Sequence, residues 1–143
     1  MVNFANQTPF RASCVKVNIT PDRPQWLLGY GARQSNGKHD DLYHRIVGMD
    51  DGKTLFFLVS SDHACFSPFF YDEFCQELER ETGIKSQQVW WTSTHTHSAP
   101  EVGHQGLAML FLPERYIHQS NPEYTQFFKN ALIPMPKVKI PIS

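Results

Sequence analysis

The chain has no surplus of positive charge. Thirteen Lys and Arg stand against 14 Asp and Glu, for a formal net charge of -1. A surface so balanced has little with which to neutralise phosphates, which excludes nucleic acid as the expected partner. It also lacks any apolar run near the roughly 20 residues that a membrane helix needs, so no transmembrane segment is expected. Cysteine is scarce: Cys14, Cys65 and Cys75 make an odd count with no CxxC pair. That argues against a disulfide framework and for a reducing compartment, with each thiol expected to be a small buried apolar side chain. The opening residues MVNFANQTPFRASC have no basic stretch ahead of a long apolar run. No signal peptide is read there, which favours a cytoplasmic setting without fixing localisation. HExxH, GxSxG, GxGxxG and Walker patterns are missing, as are internal repeats.

What is present suits one soluble domain over residues 1–143, of which 41% are hydrophobic and 19% charged. RASCVKVNI, residues 11–19, alternates Cys14, Lys16 and Asn18 with Val15, Val17 and Ile19, the period of a half-buried strand. TPDRP breaks it, and WLLGYGARQSNGKHDD reads as a long loop in which Gly29, Gly31 and Gly37 mark turns. Residues 42–49 and 54–60 form a predicted hairpin around Asp-Asp-Gly-Lys. The run LFFLV in its second strand is so apolar that both of its faces are expected to be covered. In SPFFYDEFCQELERETG, Ser67 caps a helix, Pro68 enters its first turn, Phe70, Phe74 and Leu78 share a face, and Gly83 stops it. VWWTSTH follows as a strand parallel to 54–60. A second helix is predicted in NPEYTQFFKNALIP, capped by Asn121. Residues 134–143 read as an irregular tail. The expected class is α/β: a mixed β-sheet with a hairpin and a βαβ unit, helices packed on the sheet.

The polar residues gather at one end of this scheme. His95 and His97, in TSTHTHSAPE, lie two apart at the C-terminal end of a strand and face one side if the strand persists. Ligand sites in α/β sheets collect outside the C-terminal ends of parallel strands. Asp62 and His63 end the neighbouring strand. A tight turn near Asp51 would set residue 39 opposite residue 63, bringing His39, Asp40 and Asp41 to the same edge. A catalytic zinc takes about three protein ligands and keeps one position open. His95, His97, His39, His63 and Asp62 together could supply enough, and spacing alone does not choose among them. His44, His104 and His118 are expected to be ordinary solvated or hydrogen-bonded histidines. The Phe69–Phe70–Tyr71 cluster and the LAMLFL run after Pro100 are expected to be packing surfaces.

Three stretches, VKVNITPDRPQWLLGYGAR, GKHDDLYHRIVGMDDGKTLFFLVSSDHA and GIKSQQVWWTSTHTHSAP, resemble in order and spacing the N-terminal part of the neutral/alkaline non-lysosomal ceramidase family. The likeness runs over roughly residues 14–104, and THTHS is its specific element. Ala99 stands where the family has glycine. The resemblance implies a zinc amide hydrolase that cleaves the N-acyl bond of ceramide to sphingosine and a fatty acid. It implies Zn2+ bound by His95, with His97 and His39 as pocket residues of catalysis. Family members are much longer, and their other ligands (a His, a Glu and a Tyr) come from later regions. The resemblance therefore implies a truncated chain with part of a zinc site, completed by a missing C-terminal segment or a second chain. Ceramide or another N-acyl lipid or amide is the expected substrate. The alternatives are a non-catalytic fragment or paralogue that binds a ligand or partner, and a metallohydrolase of other amides or esters.

Overall fold

A computed structural model of the chain describes residues 10–103, 120–133 and 135. His104, His118, the LAMLFL run and nearly all of the tail lie outside the described residues. Four strands make the main sheet: β1 (Arg11–Asn18), β4 (Tyr43–Asp50), β5 (Leu55–Ser61) and β6 (Val89–Ser93), in the order β1-β4-β5-β6. The first three are antiparallel neighbours, and β5 and β6 are parallel. Between those two runs helix α1 (Pro68–Thr82), so β5, α1 and β6 form the expected βαβ unit. A second helix, α2, spans Pro122–Asn130. No helix among the described residues is long and apolar enough to cross a membrane.

Local chemistry sets these boundaries. The Ser67 side chain accepts from the Phe70 amide at the start of α1, Pro68 occupies the first turn, and Gly83 closes the helix at φ 78°. Asn121 caps α2 by accepting from the amides of Glu123 and Tyr124. One face of the sheet meets both helices. Ile46, Phe57, Val59 and Trp91 pack there against Phe70, Phe74 and Leu78 of α1 and Tyr124 and Phe128 of α2, all buried. Val15 shares this face but is 39% exposed, because β1 is the edge strand.

The opposite face is less covered than the sequence suggests. Leu58 of β5 and its partner Trp90 of β6 are 38% and 64% exposed. The LFFLV strand is thus buried on one side in alternation, not on both. Cys14, across β4 on the same row, is exposed, whereas Cys75 in α1 is buried as expected and Cys65 is half-buried.

The loop before the hairpin also holds more order than its composition implies. Within it β2 (Trp26–Leu27) and β3 (Arg33–Gln34) pair as a small antiparallel sheet. The hairpin register differs as well. His44 lies opposite Ser61, and the Tyr43 amide donates to the Asp62 carboxylate. Residue 39 is therefore not paired with 63. The reason lies in the turn: Asp50 accepts from the Gly52 amide and Asp51 from those of Lys53 and Thr54. These bonds stabilise a loop centred beyond Asp51, and each residue of displacement in a hairpin centre moves the pairing by two.

Candidate functional site at the ends of the parallel strands

The parallel pair β5 and β6 ends in two adjoining loops. The Thr94 amide donates to the Ser61 carbonyl at 2.9 Å, and the Ser93 hydroxyl to the Ala64 carbonyl at 3.0 Å. Beyond Ser93 the strand does not persist. His95 takes φ 60°, the left-handed region that a β-carbon disfavours. Its Nδ1 lies 2.9 Å from the Ala64 carbonyl. A carbonyl only accepts, so Nδ1 carries the proton and Nε2 keeps its lone pair on an exposed side chain. A non-glycine residue held in this conformation, with one ring nitrogen tethered, is typical of a functional position.

His97 lies beside it, with ring centroids 5.1 Å apart. The sequence expectation that these two share a side is met in effect, although by a turn rather than by strand alternation. His97 is enclosed by the small β2–β3 sheet. The Leu28 amide donates to the Ala99 carbonyl, the Glu101 amide to the Trp26 carbonyl, and Arg33 to the His97 carbonyl. Tyr30, at φ 59° and 82% exposed, sets its ring edge-on to His97 at 4.5 Å. Gly29 has φ 106°, and a β-carbon there would come 2.5 Å from Cγ and Nδ1 of His97. The glycine-marked loop was therefore visible in the sequence, but not its role as a clasp on the histidine loop.

The other candidates are placed differently. The His39 side chain is fully exposed, 3.9 Å from the Asp40 carboxylate, with no hydrogen bond or ring contact to His95 or His97. Asp41 ties Lys38, Thr20 and Tyr43 together, and Lys38 holds its carboxyl below the usual range. Asp62 pairs with Arg45 at 2.8 Å and accepts from the Tyr43 amide. These carboxylates hold the loop and hairpin together.

His63 is 1% exposed, stacked on Phe66 and edge-on to Phe128, and among the described residues neither ring nitrogen has a partner within hydrogen-bond geometry. Burial, aided by nearby His44 and His95, pushes its pKa down to about 3. His44 is fully buried beside it. Its Nδ1 contacts the Ser61 hydroxyl and its Nε2 the Phe128 carbonyl at 2.9 Å. The Trp91 indole N–H donates to the same hydroxyl at 2.7 Å. One proton assignment satisfies the whole chain: Trp91 donates to Ser61, Ser61 to His44, and His44 to the α2 carbonyl. Burial pushes the His44 pKa down to about 4. Cys65, next to the site, has its thiol pushed up by burial and by the Glu101 carboxylate, which disfavours a nucleophilic thiolate.

Among the described residues no three His, Cys, Asp or Glu side chains are grouped to hold a metal ion. The described residues do not by themselves fit a catalytic zinc.

No known family profile matches the sequence, and no curated protein does. Solved structures do. A neutral ceramidase from Pseudomonas aeruginosa superposes with a TM-score of 0.74 at 18% identity, over 92% of this chain and 21% of that one. A ceramidase complexed with C2 superposes with a TM-score of 0.64, also at 18% identity, over 88% of this chain and 20% of the other. The chain thus has a ceramidase-like α/β fold and spans about a fifth of the length of the solved structures it matches.

Proposed function

We propose that this chain is one part, a single domain, of a zinc-dependent amide hydrolase of ceramidase type, with His95 as one metal ligand and His97 at the reacting group. The reaction adds water across the N-acyl bond of ceramide or a related N-acyl lipid, giving an amine and a fatty acid. The observation that carries this reading is His95 itself. It stands at the end of a parallel strand, where α/β folds place their sites, with Nδ1–H tied to Ala64 and the Nε2 lone pair exposed. His97 lies beside it, in a fold shared with neutral ceramidases. A complete site then needs ligands from outside the described residues, in this chain or another. His39 would have to approach from solvent to take part.

The lack of three grouped ligands among the described residues favours a second reading, in which the chain binds a lipid-like ligand or a partner without catalysis. Zinc titration of the labelled chain, followed at the His95 ring nitrogens, tests the first reading. Zinc should perturb Nε2 of His95, and His95→Ala should abolish the response. A spectrum that ignores zinc would remove the ground for a metal ligand. Turnover of a fluorescent N-acyl sphingosine by the chain alone, with one zinc bound, would overturn the incomplete site.

A further inference from the structure

We infer that His95 and His97 are held in opposite tautomers, so that one presents a lone pair and the other an N–H to whatever lies between them. For His95 the Ala64 carbonyl fixes the proton on Nδ1. His97 is governed by the opposite constraint. Its Nδ1 is buried and, among the described residues, has no hydrogen-bond partner. The atoms that enclose it on the Gly29 side are those of a backbone stripped of its β-carbon. Leaving a buried N–H without an acceptor is costlier and rarer than leaving a lone pair unused. The proton therefore moves to Nε2, on the opposite edge of a ring that is only half-buried. His97 becomes a hydrogen-bond donor, while His95 remains an acceptor or ligand.

Gly29, Tyr30 and Arg33 are the positioning residues. Gly29 lets the backbone close over Nδ1, the Tyr30 ring borders His97, and Arg33 anchors the His97 carbonyl and stands 5.6 Å from the Tyr30 ring. Tyr30 and His95, both in the left-handed region, each set a ring beside His97. The cost of holding both fits a site built for geometry. On the reading of the chain as an amide hydrolase, the His97 N–H is aimed at a carbonyl oxygen that gains negative charge. The tautomer pair itself does not depend on that reading.

Long-range proton–nitrogen correlation spectra of the 15N-histidine-labelled chain, without metal or substrate and above the pH at which free histidine titrates, test the inference. His95 should show the Nδ1–H pattern and His97 the Nε2–H pattern. Arg33→Ala should shift His97 toward a mixture of tautomers and leave His95 unchanged, and Arg33→Lys should restore much of the single form. An Nδ1–H pattern at His97, or an evenly averaged one in the parent chain, would overturn the proposal without any variant having to fold. So would a His97 pattern that Arg33→Ala leaves untouched in a folded chain. Opposite tautomers in a chain that ignores zinc would leave this inference standing while the hydrolase reading fell.

Discussion

At the scale of single residues the densest chemistry lies in the core. Ser61 is the hinge of the buried chain from Trp91 to the Phe128 carbonyl, serving two partners at once. Ser61→Ala strands the Trp91 N–H and the His44 lone pair together. It should lower stability by roughly 1–3 kcal/mol, read from urea unfolding. The two buried histidines also set the acid limit. Both have folded pKa values below the ordinary 6.5, at about 4 for His44 and about 3 for His63. The unfolded chain therefore binds more protons than the folded one between those values and 6.5. Stability should be fully present above about pH 6.5 and fall as the pH drops through 6 and 5 toward 3, by on the order of 3 kcal/mol per histidine. A pH series of urea midpoints checks this, and His44→Gln should flatten the slope. A flat profile in the parent chain would mean that these rings are hydrated. His44 and His63 show where sequence reading stops. His44 was expected to be ordinary and His63 a possible ligand; the register of β4 on β5 turns His44 into the helix-covered core, and packing on Phe66 and Phe128 places His63 there.

At the scale of elements the sequence was most legible where capping and period agree. The limits of α1 and its apolar face, Phe70, Phe74 and Leu78, follow from Ser67, Pro68 and Gly83. Asn121 and Pro122 mark the start of α2 in the same way. Gly83→Ala should cost about 1 kcal/mol through its left-handed φ alone, since a β-carbon there meets nothing within 4 Å. Gly37→Ala, equally unobstructed but without a positive φ, should be neutral or slightly stabilising. Paired thermal melts distinguish conformation from crowding as the cause. Less legible were the elements set by long-range contact. Strands β2 and β3 are two residues each, too short for any period. Their partner is the histidine loop some 70 residues on in the chain, through the Leu27–Pro100 bridge. The hairpin register was misjudged for a similar reason, because side-chain bonds within the turn moved its centre.

At the scale of the whole molecule, one helix-covered face of a mixed sheet carries the stability, and the ends of its parallel strands carry the candidate site. Phe74 lies at the centre of that core, fully buried and edge-on to Trp91 at 4.8 Å. Phe74→Ala should cost about 3–5 kcal/mol in chemical denaturation, with much of the loss from a cavity the two helices cannot close. The α/β class was readable because strand, helix and strand alternate. The pairing of His95 with His97 was readable because they are close in sequence. The solvent-facing placement of the His39 side chain was not, because it depends on the course of a loop. The alternation of β6 has one more consequence. Trp90 and Trp91 are consecutive, yet one is 64% exposed and the other 7%. Trp91 also lies 6.1 Å from the His44 ring and 6.5 Å from that of His63. Two of the chain's three tryptophans thus have opposite sensitivities: a dissolved quencher such as acrylamide reaches Trp90, whereas a proton arriving on either buried imidazole dims Trp91, so with Trp26 replaced, the light that acrylamide leaves unquenched can report when acid enters the core.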